Sequence, residues 1–239
     1  MKYLDLSFQT PEENLACDEA LLEHSEEHSG PEILRFWEPT NHFVVLGFSR
    51  KVNLEVNLES CAKRNIPILR RSSGGGTVLQ GPGCLNYSLI LNIQDSRPIQ
   101  SITETNQYVL RLHKESLEPI LGKPVQMKGI SDLTLEDLKF SGNAQRRKKS
   151  FLLFHGTFLL NFKIPLIEEV LTLPLSQPKY RQNRKHQEFL TNLNVSGDVI
   201  KDALLKTWRA ENALESVPRE RIAQLAKERY SDSGWNLKF

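Results

Sequence analysis

The chain has 239 residues, 39% of them hydrophobic and 25% charged, which excludes a disordered or collagen-like polymer and leaves enough length to bury a core without disulfides or a structural metal. Lys and Arg number 31 against 29 Asp and Glu, a net charge of +2, which argues against a nucleic-acid partner, whose binder would carry a large basic excess. The longest apolar runs, such as Phe43–Phe48 and Phe151–Phe154, fall far short of the ~20 residues that span a bilayer, so no membrane partner is expected.

The first expected strand is Tyr3–Ser7. A helix follows to about Glu27, with Thr10 as cap, Pro11 at its first position and Glu13 completing a T-x-x-E box. Ile33–Trp37 and Phe43–Phe48 read as strands around the turn-like Glu38-Pro39-Thr40-Asn41. Leu58–Arg64 reads as a short helix, and Ile66–Arg70, Thr77–Leu79 and Leu85–Leu91 as strands. Ser101–Leu121 is the clearest helix: Ser101 and Glu104 form a capping box, Ile102, Val109, Leu112 and Ile120 lie near one face, and Gly122 ends it. Strands return at Val125–Met127, Asp132–Phe140 and Phe151–Phe162. From Ile164 the chain turns helical, with Pro174 and Pro178 marking a loop, and Val199–Asn212 and Arg219–Tyr230 read as two final helices. The mixed order predicts an α+β fold with a mixed, largely antiparallel sheet flanked by helices.

Three cysteines, Cys17, Cys61 and Cys84, form no CxxC pair, which argues against a zinc site or a disulfide framework and for a reducing, cytoplasmic setting. The N-terminal MKYLDLSFQTPEEN has no apolar stretch of signal-peptide length.

Four segments carry chemistry. In Arg70–Val78, three successive glycines let backbone N–H groups approach a ligand, and two arginines supply charge suited to phosphate or carboxylate; a glycine-rich hairpin with solvated arginines is the plain alternative. Gly81-Pro82-Gly83 turns the chain into Cys84-Leu85-Asn86-Tyr87-Ser88, where Asn86 needs a hydrogen-bond partner from protein or ligand and Cys84 reads as a small core residue rather than a nucleophile. Lys139–Gln145 reads as a lysine at a strand end followed by a small-residue turn, placing an ammonium in a pocket. The following Arg146-Arg147-Lys148-Lys149 reads either as a solvated hairpin tip or as a docking rim for an acidic partner. His155-Gly156-Thr157 suggests close backbone approach, although a lone strand histidine is more often a satisfied core residue.

Taken together these segments resemble the lipoate–protein ligase and octanoyltransferase superfamily, related to biotin protein ligases. Its pattern RR-x-x-GGG-x-V, then LNY-S, S-D-L, K-x-SG-x-AQ and HG-T-L-L is similar to Arg70–Val78, Leu85–Ser88, Ser131-Asp132-Leu133, Lys139–Gln145 and His155–Leu160, in register across about residues 30–165. The resemblance implies a catalytic domain over 1–190 that forms and transfers an acyl adenylate, with 191–239 a short helical extension in place of a full accessory domain. It implies ATP, Mg²⁺ and lipoate or octanoate as ligands, no protein metal site and a lipoyl-type acceptor domain as partner; the short C-terminal part leaves two readings, a separate accessory subunit that takes part in activation, or a chain that performs only the transfer from ready-made lipoyl-AMP. It assigns Arg71, Gly75, Gly76, Thr77, Val78 and Leu79 to the nucleotide, Lys139 to both acyl carbonyl and α-phosphate as the central catalytic cation, and Asn86, Asp132, Gly142, Asn143, Ala144, His155, Gly156 and Thr157 to the surroundings of the acyl group.

Within the superfamily, octanoyltransferases use a cysteine thiolate and no ATP. One class places it just upstream of the lysine motif, where this chain reads Gly129-Ile130-Ser131-Asp132. Another places it downstream of the HG motif, where no cysteine follows. Both absences favour a ligase. Gly81-Pro82-Gly83 echoes the transferase loop and keeps ATP-independent transfer as the alternative. A non-enzymatic lipoate-binding protein is the third reading, set against by the presence of Lys139, Arg71 and Gly76. The GRGRxxR loop of biotin ligases is absent.

Overall fold

The computed structural model describes residues 1–174 and 176–239. Eleven strands are found among them: β1 (Lys2–Asp5), β2 (Ile33–Trp37), β3 (Phe43–Leu46), β4 (Ile68–Arg70), β5 (Val78–Gln80), β6 (Cys84–Asn92), β7 (Val125–Lys128), β8 (Asp132–Leu135), β9 (Leu138–Arg147), β10 (Phe151–Leu159) and β11 (Asn212–Ala213). The helices are α1 (Pro11–His28), α2 (Val52–Glu55), α3 (Leu58–Lys63), α4 (Ile102–Leu121), α5 (Ile164–Val170), α6 (His186–Phe189), α7 (Gly197–Thr207), α8 (Arg219–Leu225) and α9 (Ser233–Asn236). None is long and apolar enough to cross a membrane.

The large sheet runs β11-β1-β2-β6-β10-β9-β8-β7, parallel at β11-β1-β2 and antiparallel from β2 onward; a smaller sheet runs β4-β3-β5. The expected α+β class with a mixed, largely antiparallel sheet is what forms. The helix caps follow the sequence. Thr10 Oγ1 accepts from Glu13 N at the start of α1, both halves of the Ser101/Glu104 box form on α4, and Gly122 takes the left-handed conformation that ends it.

The alternation of side chains along β6 and β10 decides where the site lies. Leu85, Tyr87, Leu89 and Leu91 of β6 pack with Leu152, Phe154 and Phe158 of β10 under α4 and α7. On the opposite face Ile90, Phe151 and Leu153 pack under α1 and α8. Farther along that face the residues become Asn86, Ser88, His155 and Thr157, and there the helical cover stops and a cleft opens.

Two expected elements form differently. Asp132–Phe140 is two strands, because the chain reverses at Glu136-Asp137 with Glu136 at φ 56°. Ser141–Gln145 is strand rather than turn: β9 continues through it because every residue from Ser141 to Arg147 pairs with β10. The Pro174–Pro178 loop ends in a single tight turn at Lys179–Arg181; residue 175 lies outside the described residues. Beyond residue 190, Leu193, Ile200, Leu204 and Trp208 join the core beneath the large sheet, and β11 extends its edge.

Candidate active site

The cleft has a volume of about 1130 Å³ and lies between the glycine loop joining β4 to β5, the polar stretch of β6 and β10, the strands β8 and β9, and residues 172–174 and 176–190. It brings together every residue that the resemblance assigned to the nucleotide or the acyl group: Arg71, Gly75, Gly76, Thr77, Val78, Leu79, Asn86, Asp132, Lys139, Gly142, Asn143, Ala144, His155, Gly156 and Thr157 all line it, whereas Arg70, Cys84 and the run 146–149 do not.

One wall is the glycine loop. Its carbonyls face guanidinium groups and backbone donors. Gly74 O accepts from Arg71 Nη2 at 2.6 Å, Gly76 O from the same nitrogen at 2.8 Å, Gly75 O from Arg50 Nε at 2.8 Å, and Ser73 O from Phe48 N at 2.9 Å. With the carbonyls so held, no amide from Ser72 to Thr77 donates to a protein acceptor among the described residues. A run of free N–H donors beside buried positive charge is an anion cradle. Gly75 sits at φ +91°, where a Cβ would lie 2.8 Å from Arg71 Nη2, so only glycine fits.

The two arginines were expected to offer their charge to a ligand. Both instead direct their donors at the chain. Arg71 is buried, and burial together with Arg50 pulls its guanidinium down to about 10. Arg70 is fully buried and donates to Gly47 O, Phe48 O, Arg50 O, Trp235 O and Asn236 O, while its own backbone binds Asn236 Oδ1 and Trp235 Nε1. A guanidinium has five donors and no acceptor, so under a loop rich in carbonyls it finds its partners locally. His155 completes this wall. Its Nε2 lies 2.6 Å from Ser73 Oγ, which also accepts from Arg71 Nε, and burial plus the nearby Arg71 charge push the imidazole down to about 3, so it stands neutral as a prop.

The opposite wall carries the lysine. Lys139 Nζ lies 2.7 Å from Asp132 Oδ1, and Asp132 Oδ2 accepts from Tyr180 OH at 2.7 Å. Burial and this carboxylate push the Tyr180 phenol up, so it remains a donor. The lysine side chain crosses directly over Gly142, where a Cβ would stand 2.7 Å from Nζ. Asn143 is fixed by Ser131 O and Tyr87 OH, and a Cβ on Gly156 would collide with its side chain. Asn86 finds its partners in protein: Gln80 and Thr157 close a three-member ring of hydrogen bonds with it.

Three residues of the basic run 146–149 turn back to the protein, and Lys149 is exposed. Arg146 pairs with Glu19 at 2.5 Å, Arg147 donates to Thr105, Ile99 and Gln100, and Lys148 stands 3.8 Å from Glu23; α1 supplies the acids. The sequence reading missed Glu55, Arg50, Tyr180 and Gln80. No local motif marks them, because the contacts that bring them to the site, Arg50 to Gly75, Glu55 to Thr77, Gln80 to Thr157 and Tyr180 to Asp132, span 22 to 77 residues.

All three cysteines are buried away from the cleft. Cys84 packs with Leu159 and Phe162, and burial pushes its thiol up to about 12, as it does for Cys17. Among the described residues no three His, Cys, Asp or Glu side chains are grouped to share a metal ion.

Residues 10–200 match the lipoyl protein ligase A/B catalytic domain. The chain is 26% identical to octanoyltransferase LipM of Brevibacillus brevis over 99% of this chain and 98% of that one. A Thermoplasma acidophilum protein solved with bound lipoic acid superposes with a TM-score of 0.79 at 25% identity, covering 99% of this chain and 98% of that one. A lipoate-protein ligase A solved with ATP gives the same values.

Proposed function

The chain belongs to the lipoyl protein ligase A/B catalytic-domain family, and on that premise we propose that it is a lipoate–protein ligase: it uses ATP to convert lipoate or octanoate to the acyl adenylate and passes the acyl group to a lysine of a lipoyl-type domain. One observation carries this reading. The cleft joins a loop of free amides to a lysine ammonium on the facing wall, and none of the three cysteines lines it.

A fatty carboxylate is a poor electrophile. Its attack on the α-phosphate of ATP releases pyrophosphate and leaves a mixed anhydride, from which an acceptor amine displaces AMP. Negative charge develops on phosphoryl oxygens in the first step and on the acyl oxygen in the second. The amides of 72–77 offer fixed dipoles to the phosphate, and Lys139 can turn from Asp132 to the oxygens between the two walls. The carboxylates lining the cleft, Asp18, Glu19, Glu55 and Asp132, already hold Arg35, Arg146, Arg229, Tyr230, Arg50, Thr77, Lys139 and Tyr180, so a Mg²⁺ arriving with ATP belongs to the substrate's phosphates. The 25% identical structures holding lipoic acid and ATP support both ligands.

The second reading, ATP-independent octanoyl transfer, is favoured by the name of the Brevibacillus relative. That chemistry needs a thiolate, and Cys84 is buried and kept protonated. Mass spectrometry of a lipoyl domain incubated with the protein decides. Modification with lipoate plus ATP supports the ligase; modification from octanoyl carrier protein without ATP, with an acyl adduct on the enzyme, overturns it. Modification from preformed lipoyl-AMP but not from lipoate and ATP would assign adenylation to a separate accessory subunit.

A further inference from the structure

The glycine loop is held from below by Arg71, which stands in the motif itself. It is held a second time from the side, by a segment that no motif marks. Glu55, the last residue of α2, is buried, and its carboxylate has two partners: Arg50 Nη1 donates to Oε1 at 3.1 Å, and the Thr77 hydroxyl donates to Oε2. The same Arg50 turns its Nε to Gly75 O at 2.8 Å. Gly47, three residues before Arg50, passes so close that a Cβ there would collide with Gly75 O. One short stretch, residues 47–55, thus grips the loop at Gly75 and at Thr77.

We propose that Glu55 is a positioning residue, which through Arg50 and Thr77 fixes the peptide orientation of Gly75–Thr77 so that their amides, and not their carbonyls, face the cleft. The reason is geometric. Three glycines have no side chains to prefer one orientation, and Gly74 and Gly76 would admit a Cβ with nothing within 4 Å, so the loop is not held by packing there. A peptide flip at Gly75 would put a carbonyl where an anion is to bind, and the salt-bridged Arg50 opposes that flip by holding Gly75 O. Arg50 has no other carboxylate partner among the described residues, so Glu55 alone holds its fork in place. The role in turnover rests on the ligase reading above; the loop's orientation does not.

The test uses the full chain. Backbone ¹⁵N relaxation of Gly74–Thr77 is measured in the wild type and in Glu55→Ala, Glu55→Gln, Arg50→Ala and Thr77→Val, beside steady-state transfer from lipoyl-AMP to a lipoyl domain. Glu55→Gln keeps both contacts, since its carbonyl accepts from Arg50 and its amide donates to Thr77 Oγ1. Order parameters near 0.85 in the wild type and below ~0.6 in Glu55→Ala and Arg50→Ala are expected, with Glu55→Gln close to wild type. Thr77→Val, which removes only the hydroxyl, is expected to loosen Thr77 and leave Gly75 ordered. The KM for lipoyl-AMP should rise roughly tenfold in Glu55→Ala while the KM for the acceptor stays unchanged. Unaltered relaxation in Glu55→Ala would overturn the clamp whatever the activity. A wild type that cannot use lipoyl-AMP would overturn the ligase reading, and the relaxation data would still judge the clamp.

Discussion

The two walls of the cleft use positive charge in opposite ways. On the glycine-loop wall three guanidinium groups, those of Arg50, Arg70 and Arg71, are committed to backbone carbonyls, and the groups left to meet a ligand are neutral amides. On the facing wall one ammonium, with its side chain 25% exposed, rests on a single carboxylate and can exchange that partner for a substrate oxygen. Arginine suits the first task, because its planar fork satisfies several fixed acceptors at once. Lysine suits the second, because its compact charge on a flexible stem can move. Charge in a sequence motif therefore marks a site without saying which charges touch the ligand.

The sharpest way to break this contrast is Lys139→Ala. Removing a positioned charge should cost 10²- to 10³-fold in the rate of transfer from lipoyl-AMP, with an unchanged thermal midpoint because the side chain lies at the cleft surface. Lys139→Arg should not restore the rate. A loss of only a few-fold would place the chemistry on the other wall. Arg70→Met addresses that wall. It leaves several buried carbonyls without donors and should lower stability by about 3 kcal/mol, read as a shift in the urea midpoint. A variant that loses activity at full stability would show Arg70 to be a ligand contact.

Gly142→Ala is milder. The new methyl displaces only the far end of the Lys139 side chain, so transfer should fall by roughly tenfold with the fold intact, and a wild-type rate would mean the ammonium works elsewhere. The His155 prop predicts a pH effect. Its folded-state affinity for a proton, at about 3, lies below the ordinary histidine value near 6.5. The unfolded chain binds the proton first, so stability is full above about 6.5 and falls as pH drops below it, by up to ~1.4 kcal/mol per pH unit. His155→Gln should be less stable at pH 7 and lose less between pH 6.5 and 5 in urea melts; an unchanged slope would mean the ring titrates freely. The smallest effect is expected from Cys84→Ala, whose acyl transfer should match the wild type.

Much of this was legible in the sequence because it is local or periodic. The alternation in 84–92 and 151–159 marks the central strands, and the change from Ile90 and Leu153 to Asn86, Ser88, His155 and Thr157 marks where one face turns polar. The capping residues place α1 and α4. What escaped was set by partners distant in the chain. Ser141–Gln145 has the composition of a turn, and pairing with β10 overrides it. Glu136 carries no glycine signal for its left-handed conformation. Arg146 and Lys148 read as solvated until α1 supplies Glu19 and Glu23. Glu55 and Tyr180 meet Thr77 and Asp132 across 22 and 48 residues, and no short window contains both members of either pair.

The hydrogen bond from Arg70 N to Asn236 Oδ1 spans 166 residues. On a ribosome adding roughly 5–20 residues per second, Arg70 emerges about ten to thirty seconds before the asparagine that completes its surroundings. Throughout that interval the loop behind it lacks one of its fastenings. The glycine-loop wall is thus among the last parts of the molecule to be finished, and a nascent chain stalled short of residue 236 would carry Lys139 opposite a wall that lacks this fastening.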